Sequence, residues 1–127
     1  MTIARDGDII VARTNGRELA SQIGFSRTDL ALIAAATSEI ARNIYIYAGR
    51  GVMSFCGVRD GGRRGIVIIG RDCGPGIADI DKALQDGFST GQSLGLGLPG
   101  ARRIMDEFEI VSELGKGTTV TMKKWLK

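Results

Sequence analysis

Glu39 and Asn43 stand four residues apart in Thr37-Ser38-Glu39-Ile40-Ala41-Arg42-Asn43, a spacing that puts both on one face of a helix. An Asn amide oxygen is a hard ligand suited to Mg²⁺, and a nearby carboxylate can take the proton of an attacking hydroxyl. Taken alone, the pair is better read as two polar side chains on a solvated helix face. A second candidate is Asp72-Cys73-Gly74-Pro75-Gly76, which follows the apolar run GIVIIGR. An ionised Asp only accepts hydrogen bonds, so against a base edge it would pair with adenine's exocyclic amine and repel guanine's carbonyl oxygen. Gly74 and Gly76 would leave room for a flat ring. In isolation, an Asp-Gly type of turn accounts for the segment better.

Two glycine-rich stretches complete the set. Gly95-Leu96-Gly97-Leu98-Pro99-Gly100 matches G-x-G-x-x-G, but the chain has 19 glycines and short matches arise by chance. No strand precedes it and no carboxylate follows at the distance a dinucleotide-binding turn needs. It is either a flexible loop into a helix or a helix start that offers unpaired N–H groups to a phosphate. Gly115-Lys116-Gly117-Thr118-Thr119 is a hairpin turn, in which a Thr hydroxyl reaching a base would be an optional addition. It is not a Walker A loop, because Gly117 stands where Ser or Thr belongs.

Composition narrows the chemistry further. There is no histidine among the 127 residues, which removes histidine-based triads. Cys56 and Cys73 are too few and too badly spaced for a zinc site and are expected to be free thiols. The net charge of +3 is mild, the cations are scattered and aromatic content is 6%, a poor footprint for nucleic acid. The longest apolar run, Leu30 to Ala36, is too short to span a bilayer, and the first residues do not resemble a signal peptide. The expectation is a cytoplasmic single domain, without nucleic acid or membrane partners.

The elements that must carry these residues follow from periodicity. Asp8 to Arg13 reads as a first strand and Asn15 to Ile23 as a helix. Ser26-Arg27-Thr28-Asp29 resembles a capping box, opening one long amphipathic helix that ends at Gly49. Val52 to Val58 and Gly65 to Arg71 are strands joined by the turn Asp60-Gly61-Gly62-Arg63. A short helix is expected near Ala78 to Gln85, a polar loop over Asp86 to Leu94, and a helix from Leu98 to Glu107. Strands at Glu109 to Ser112 and Thr118 to Lys124 finish the chain. The fold class expected is a two-layer α+β sandwich, a mixed and mainly antiparallel sheet with helices on one face.

In this order the segments resemble the N box (37–48), G1 box (72–76), G2 box (95–100) and Gly-x-Gly-Thr box (115–119) of the GHKL superfamily, the Bergerat-fold ATPases and kinases. The resemblance implies ATP as ligand, Glu39 as catalytic base and Asn43 as the Mg²⁺ ligand. It further implies Asp72 as the adenine-reading carboxylate and Gly74 and Gly76 as the pocket floor. Residues 86–94 become the lid, Gly95, Leu96, Gly97, Leu98 and Gly100 the phosphate loop, and Thr118 or Thr119 an aid at the base. Glu39 to Gly49, Asp86-Gly87-Phe88-Ser89-Thr90, Leu98-Pro99-Gly100, Arg103 to Phe108 and Lys124-Trp125-Leu126-Lys127 are similar to the RsbT-type switch kinases of bacterial stressosomes. That family implies phosphorylation of STAS-domain scaffold or antagonist proteins, followed by binding and activation of a PP2C-type phosphatase. The other function open at this point is a nucleotide-gated sequestering protein of the anti-sigma-factor type. Tyr45, Tyr47 and Trp125 are either partner anchors or packing aromatics, with packing expected for at least two of them.

Overall fold

The computed structural model describes residues 1–77 and 97–127. The helix expected near Ala78 to Gln85, the lid, Gly95 and Leu96 lie outside the described residues. Strand β1 (Thr2–Ile3) leads into helix α1 (Gly7–Ile23), and the strand expected over Asp8–Arg13 is the first part of that helix. Ile9-Ile10-Val11 is locally a good strand former, yet Ile9, Ala12, Gly16 and Ala20 recur at helical spacing and bury one stripe. Burial along that stripe outweighs the β-branched preference. Asp8 supports the helix start, its Oδ2 accepting from the N–H of Ala4 at 2.9 Å and of Arg5 at 3.0 Å. Those contacts, led by the Ala4 bond, hold the Asp8 carboxyl below its ordinary pKa.

Helix α2 (Arg27–Asn43) begins as its sequence signals, with Ser26 Oγ accepting from Asp29 N–H at 3.2 Å. Beyond Asn43 the winding loosens into one π turn (Ile44–Ala48), which Gly49 closes with φ at 77°. The expected end at Gly49 holds, although its last turn is not α.

Strands β2 (Gly51–Asp60) and β3 (Arg63–Asp72) form the expected hairpin. Helix α3 (Gly97–Ile104), strand β4 (Glu107–Glu113) and strand β5 (Gly117–Trp125) complete the described elements. The strands pair antiparallel in the order β1-β2-β3-β5-β4. Side chains alternate across the sheet. Met53, Ile66, Ile68, Val120 and Met122 share one face and pack with Ile33, Ile40 and Ile44 of the α2 region and Leu98 and Ala101 of α3. On the opposite face Val52 and Val111 are 50% and 60% exposed. This is the one-sided sandwich that the sequence predicts.

Trp125 is buried, its indole N–H donating to Glu107 Oε2 at 2.8 Å and its ring carrying the Arg63 guanidinium 4.1 Å from the centroid. Tyr45 packs against the core, whereas Tyr47 is 50% exposed. Two of the three candidate anchors are therefore packing residues. Cys56 and Cys73 are free thiols. Among the described residues, no helix is long and apolar enough to cross a membrane.

Candidate functional site

The register of the sheet assembles the first half of the site. Asp72 at the end of β3 pairs with Thr118 of β5, which pairs in turn with Ser112 of β4. Directly opposed residues share a face, and these three continue the rows of Ile68, Val120 and Ile110 on the helix-covered side. Thr119 pairs with Arg71 and Val111 and points to the opposite face. Of the two threonines expected near a base, the sheet thus brings Thr118 to Asp72 and turns Thr119 away.

Ser112, which belongs to none of the sequence motifs, ties this row together. Its hydroxyl accepts from Ile77 N–H at 2.7 Å and lies 2.8 Å from Thr118 Oγ1 and 3.2 Å from the Gly117 carbonyl. The segment after Asp72 is thereby fastened across the sheet to β4 and β5. The only signal for it in the sequence is its parity within β4, which becomes legible once the register is known.

Asp72 Oδ1 accepts from Gly74 N–H at 2.9 Å, closing a tight turn. Oδ2 has no partner among the described residues. A side chain on Gly74 would strike Ala48, with Cβ atoms 2.6 Å apart, and one on Gly76 (φ 79°) would strike the Glu113 carbonyl at 2.5 Å. The space a side chain would take is filled by protein, so packing by itself requires glycine there. The contact of Gly74 with Ala48 also places the Asp72 turn beneath the π turn that follows Asn43.

The second half of the site comes from α2 and α3. Glu39 is only 6% exposed, and both of its oxygens are engaged. Oε1 pairs with Arg42 Nη1 at 3.0 Å, one turn along α2. Oε2 accepts from the backbone N–H of Gly97, the first residue of α3, at 3.1 Å across 58 residues of sequence. A carboxylate at a helix start meets unpaired N–H groups and the positive end of the helix dipole. Leu98, Pro99 and Gly100 continue this first turn and are buried. At the other end of α3, Lys124 is buried and donates from Nζ to the Ile104 carbonyl at 2.9 Å, a cation at the negative end of the dipole. The helix is clamped at both ends by opposite charges.

Asn43 sits at the end of α2, and its Nδ2 is buried with no hydrogen-bond partner among the described residues. An unpaired buried amide is costly, and the two ends of an Asn amide are interchangeable by rotation. A carbonyl oxygen presented in that position suits a hard cation, so the side chain present fits a Mg²⁺ ligand. Glu39, Asn43, Gly97, Leu98 and Gly100 are thus gathered by α2 and α3, and Asp72, Gly74, Gly76 and Thr118 by the sheet end beside the π turn.

Comparison with known proteins gives a consistent pattern. The histidine kinase-like ATPase domain family matches residues 4–124. The serine/threonine-protein kinase RsbT of Bacillus subtilis (strain 168) is 50% identical over 125 residues, covering 98% of this chain and 94% of that protein. An anti-sigma F factor of Thermoanaerobacter sp. (strain X514) is 34% identical over 121 residues, covering 91% and 83%. Among solved structures, the mycobacterial sensor histidine kinase MprB superposes with a TM-score of 0.56 at 16% identity, covering 94% of this chain and 93% of that one. The catalytic domain of histidine kinase ThkA does so with a TM-score of 0.56 at 13% identity, covering 98% and 93%. The likeness to these two structures concerns the fold alone.

Proposed function

The chain belongs to the histidine kinase-like ATPase family and, within it, to the RsbT-type serine/threonine kinases, and on that premise we propose how its residues carry the reaction and which partners it serves. The reaction is transfer of the γ-phosphoryl group of ATP to a Ser or Thr hydroxyl of a protein in a partner switch. One observation supports the site most strongly: Glu39 Oε2 meets the Gly97 N–H at 3.1 Å, joining the base to the start of the phosphate helix.

Glu39 orients the acceptor hydroxyl and takes its proton as the new O–P bond forms and the bond to ADP breaks. Gly97, Leu98 and Gly100, with Gly95 and Leu96 before them, hold the phosphates at the start of α3. Asp72 reads adenine through Oδ2, because Oδ1 is already committed to Gly74 N–H. Thr118, oriented by Ser112, assists at the base. Asn43 would hold Mg²⁺ together with the nucleotide phosphates, and the ion when bound supplies charge neutralisation to them. The chain acts as one catalytic domain.

The substrates are STAS-domain scaffold or antagonist proteins, and the released kinase then binds and activates a PP2C-type phosphatase. Similarity to an anti-sigma F factor supports a second reading, in which nucleotide-gated capture of a partner is the function and transfer is incidental.

The test is incubation with γ-labelled ATP and a STAS-domain protein of the same organism. Label is expected on a Ser or Thr of the STAS protein, with transfer abolished in Glu39→Gln. Asp72→Asn is expected to lose about 1–3 kcal/mol of nucleotide affinity, the cost of turning a donor toward the adenine amine in place of an acceptor that the bound base covers. A stable complex without label would favour the capture reading, and a fully active Glu39→Gln would remove Glu39 as the base.

A further inference from the structure

We infer that Arg42 is a positioning residue for Glu39, its guanidinium holding the carboxylate aimed at the start of α3; this rests on the reading of Glu39 as the base. Residues three apart on a helix are neighbours, so the pair forms within α2 alone. Arg42 Nη1 takes Oε1 at 3.0 Å, which leaves Oε2 turned toward the Gly97 N–H at 3.1 Å. The terminal torsion of a Glu side chain is broad and roughly two-fold, so a carboxylate held through one oxygen could still swing. Contacts to both oxygens, from α2 and from α3, fix the plane of the group.

Burial makes the pairing asymmetric. The Glu39 side chain is 7% exposed and that of Arg42 23%, so the cation keeps more water than the anion does. A buried carboxylate without a counter-charge is strongly disfavoured. Among the described residues, the Arg42 guanidinium pairs with Glu39 and with none of the groups assigned to the nucleotide. Its loss should therefore register mainly in the rate of transfer, through a misdirected base. A smaller effect on ATP is expected in the weakening direction, because the guanidinium charge that opposes the carboxylate's repulsion of phosphate is removed.

The experiment uses Arg42→Met, which keeps the apolar stem, and Arg42→Lys, which keeps the charge. In the transfer assay, Arg42→Met should lower kcat about tenfold or more. KM for ATP should rise only about threefold. Arg42→Lys should recover part of kcat. Wild-type kcat in Arg42→Met, or a loss confined to KM, would overturn the inference. Loss of transfer in Glu39→Gln beside full transfer in Arg42→Met would sink this role alone, whereas an active Glu39→Gln sinks the base assignment itself. A readout independent of activity is the ¹⁵N spectrum of the Arg42 guanidinium. Separate Nη signals, held by the carboxylate, are expected in wild type and should merge in Glu39→Gln. Merged signals in the wild type would show that the pair does not hold the base, and would overturn the proposal.

Discussion

Replacing Glu39 by Gln should tighten ATP binding even as it abolishes transfer. Gln keeps the length of the side chain and an oxygen that can accept from Gly97 N–H; it removes the charge and puts an NH2 where an oxygen met Arg42. The carboxylate accepts from that N–H at 3.1 Å and is itself paired with Arg42 at 3.0 Å. If phosphates bind at the same helix start, two anions compete for one donor. A charged acceptor holds such a donor by about 1.5–3 kcal/mol, against about 0.5–1.5 kcal/mol for a neutral one, so the competition weakens by about 1 kcal/mol. Direct repulsion adds to this. The Arg42 charge opposes that repulsion and keeps it small. The net gain is about 1–2 kcal/mol, or about 5- to 30-fold in Kd. Calorimetric titration of ATP and of adenosine into both proteins measures it. ATP should bind more tightly to the variant, while adenosine, which has no phosphate, should bind equally. Equal or weaker ATP binding in a variant that melts like wild type would refute the competition and move the phosphates away from the start of α3.

Other consequences concern the supports of the site. Ser112→Ala removes the acceptor for Ile77 N–H and the partner of Thr118, and should cost about 1–2 kcal/mol in urea unfolding with a weaker hold on nucleotide; unchanged stability would mean that the Ile77 segment is held by other contacts. Lys124→Met keeps the apolar stem but strips the cation from the end of α3, with an expected loss of about 1–2 kcal/mol in the same assay. Equal stability there would show that the buried ammonium contributes nothing net. Asp8 has a folded pKa below its ordinary value of 3.8, so its contribution is full above that pH and is lost as the pH falls through the lower folded value. Acid unfolding of wild type should therefore contain a component below pH 3.8 that Asp8→Asn lacks, and superimposable acid transitions would contradict it.

Much of the fold was legible because local signals agreed with tertiary demands. Ser26 and Asp29 cap α2 as their spacing predicts, Gly49 ends the helical stretch, and Asp60-Gly61-Gly62-Arg63 joins β2 to β3 in register. At Asp8–Arg13 the two conflicted. A β-branched run argued for a strand, but the apolar stripe through Ala20 needed a helix to bury it.

The sequence by itself determined which chemistry was open. The absence of histidine closes triad chemistry, and Glu39, Asn43, Asp72 and two glycine-rich turns in this order carry the resemblance that implies a nucleotide, because residue type and helical spacing are local properties. The tertiary structure alone decided which of these groups meet. The approach of Glu39 to Gly97 crosses 58 residues, and the choice of Thr118 over Thr119 depends on strand register, in which a shift of one residue reverses every side chain. Contacts between distant segments arise from burial of a shared core, which no stretch of chain can encode alone.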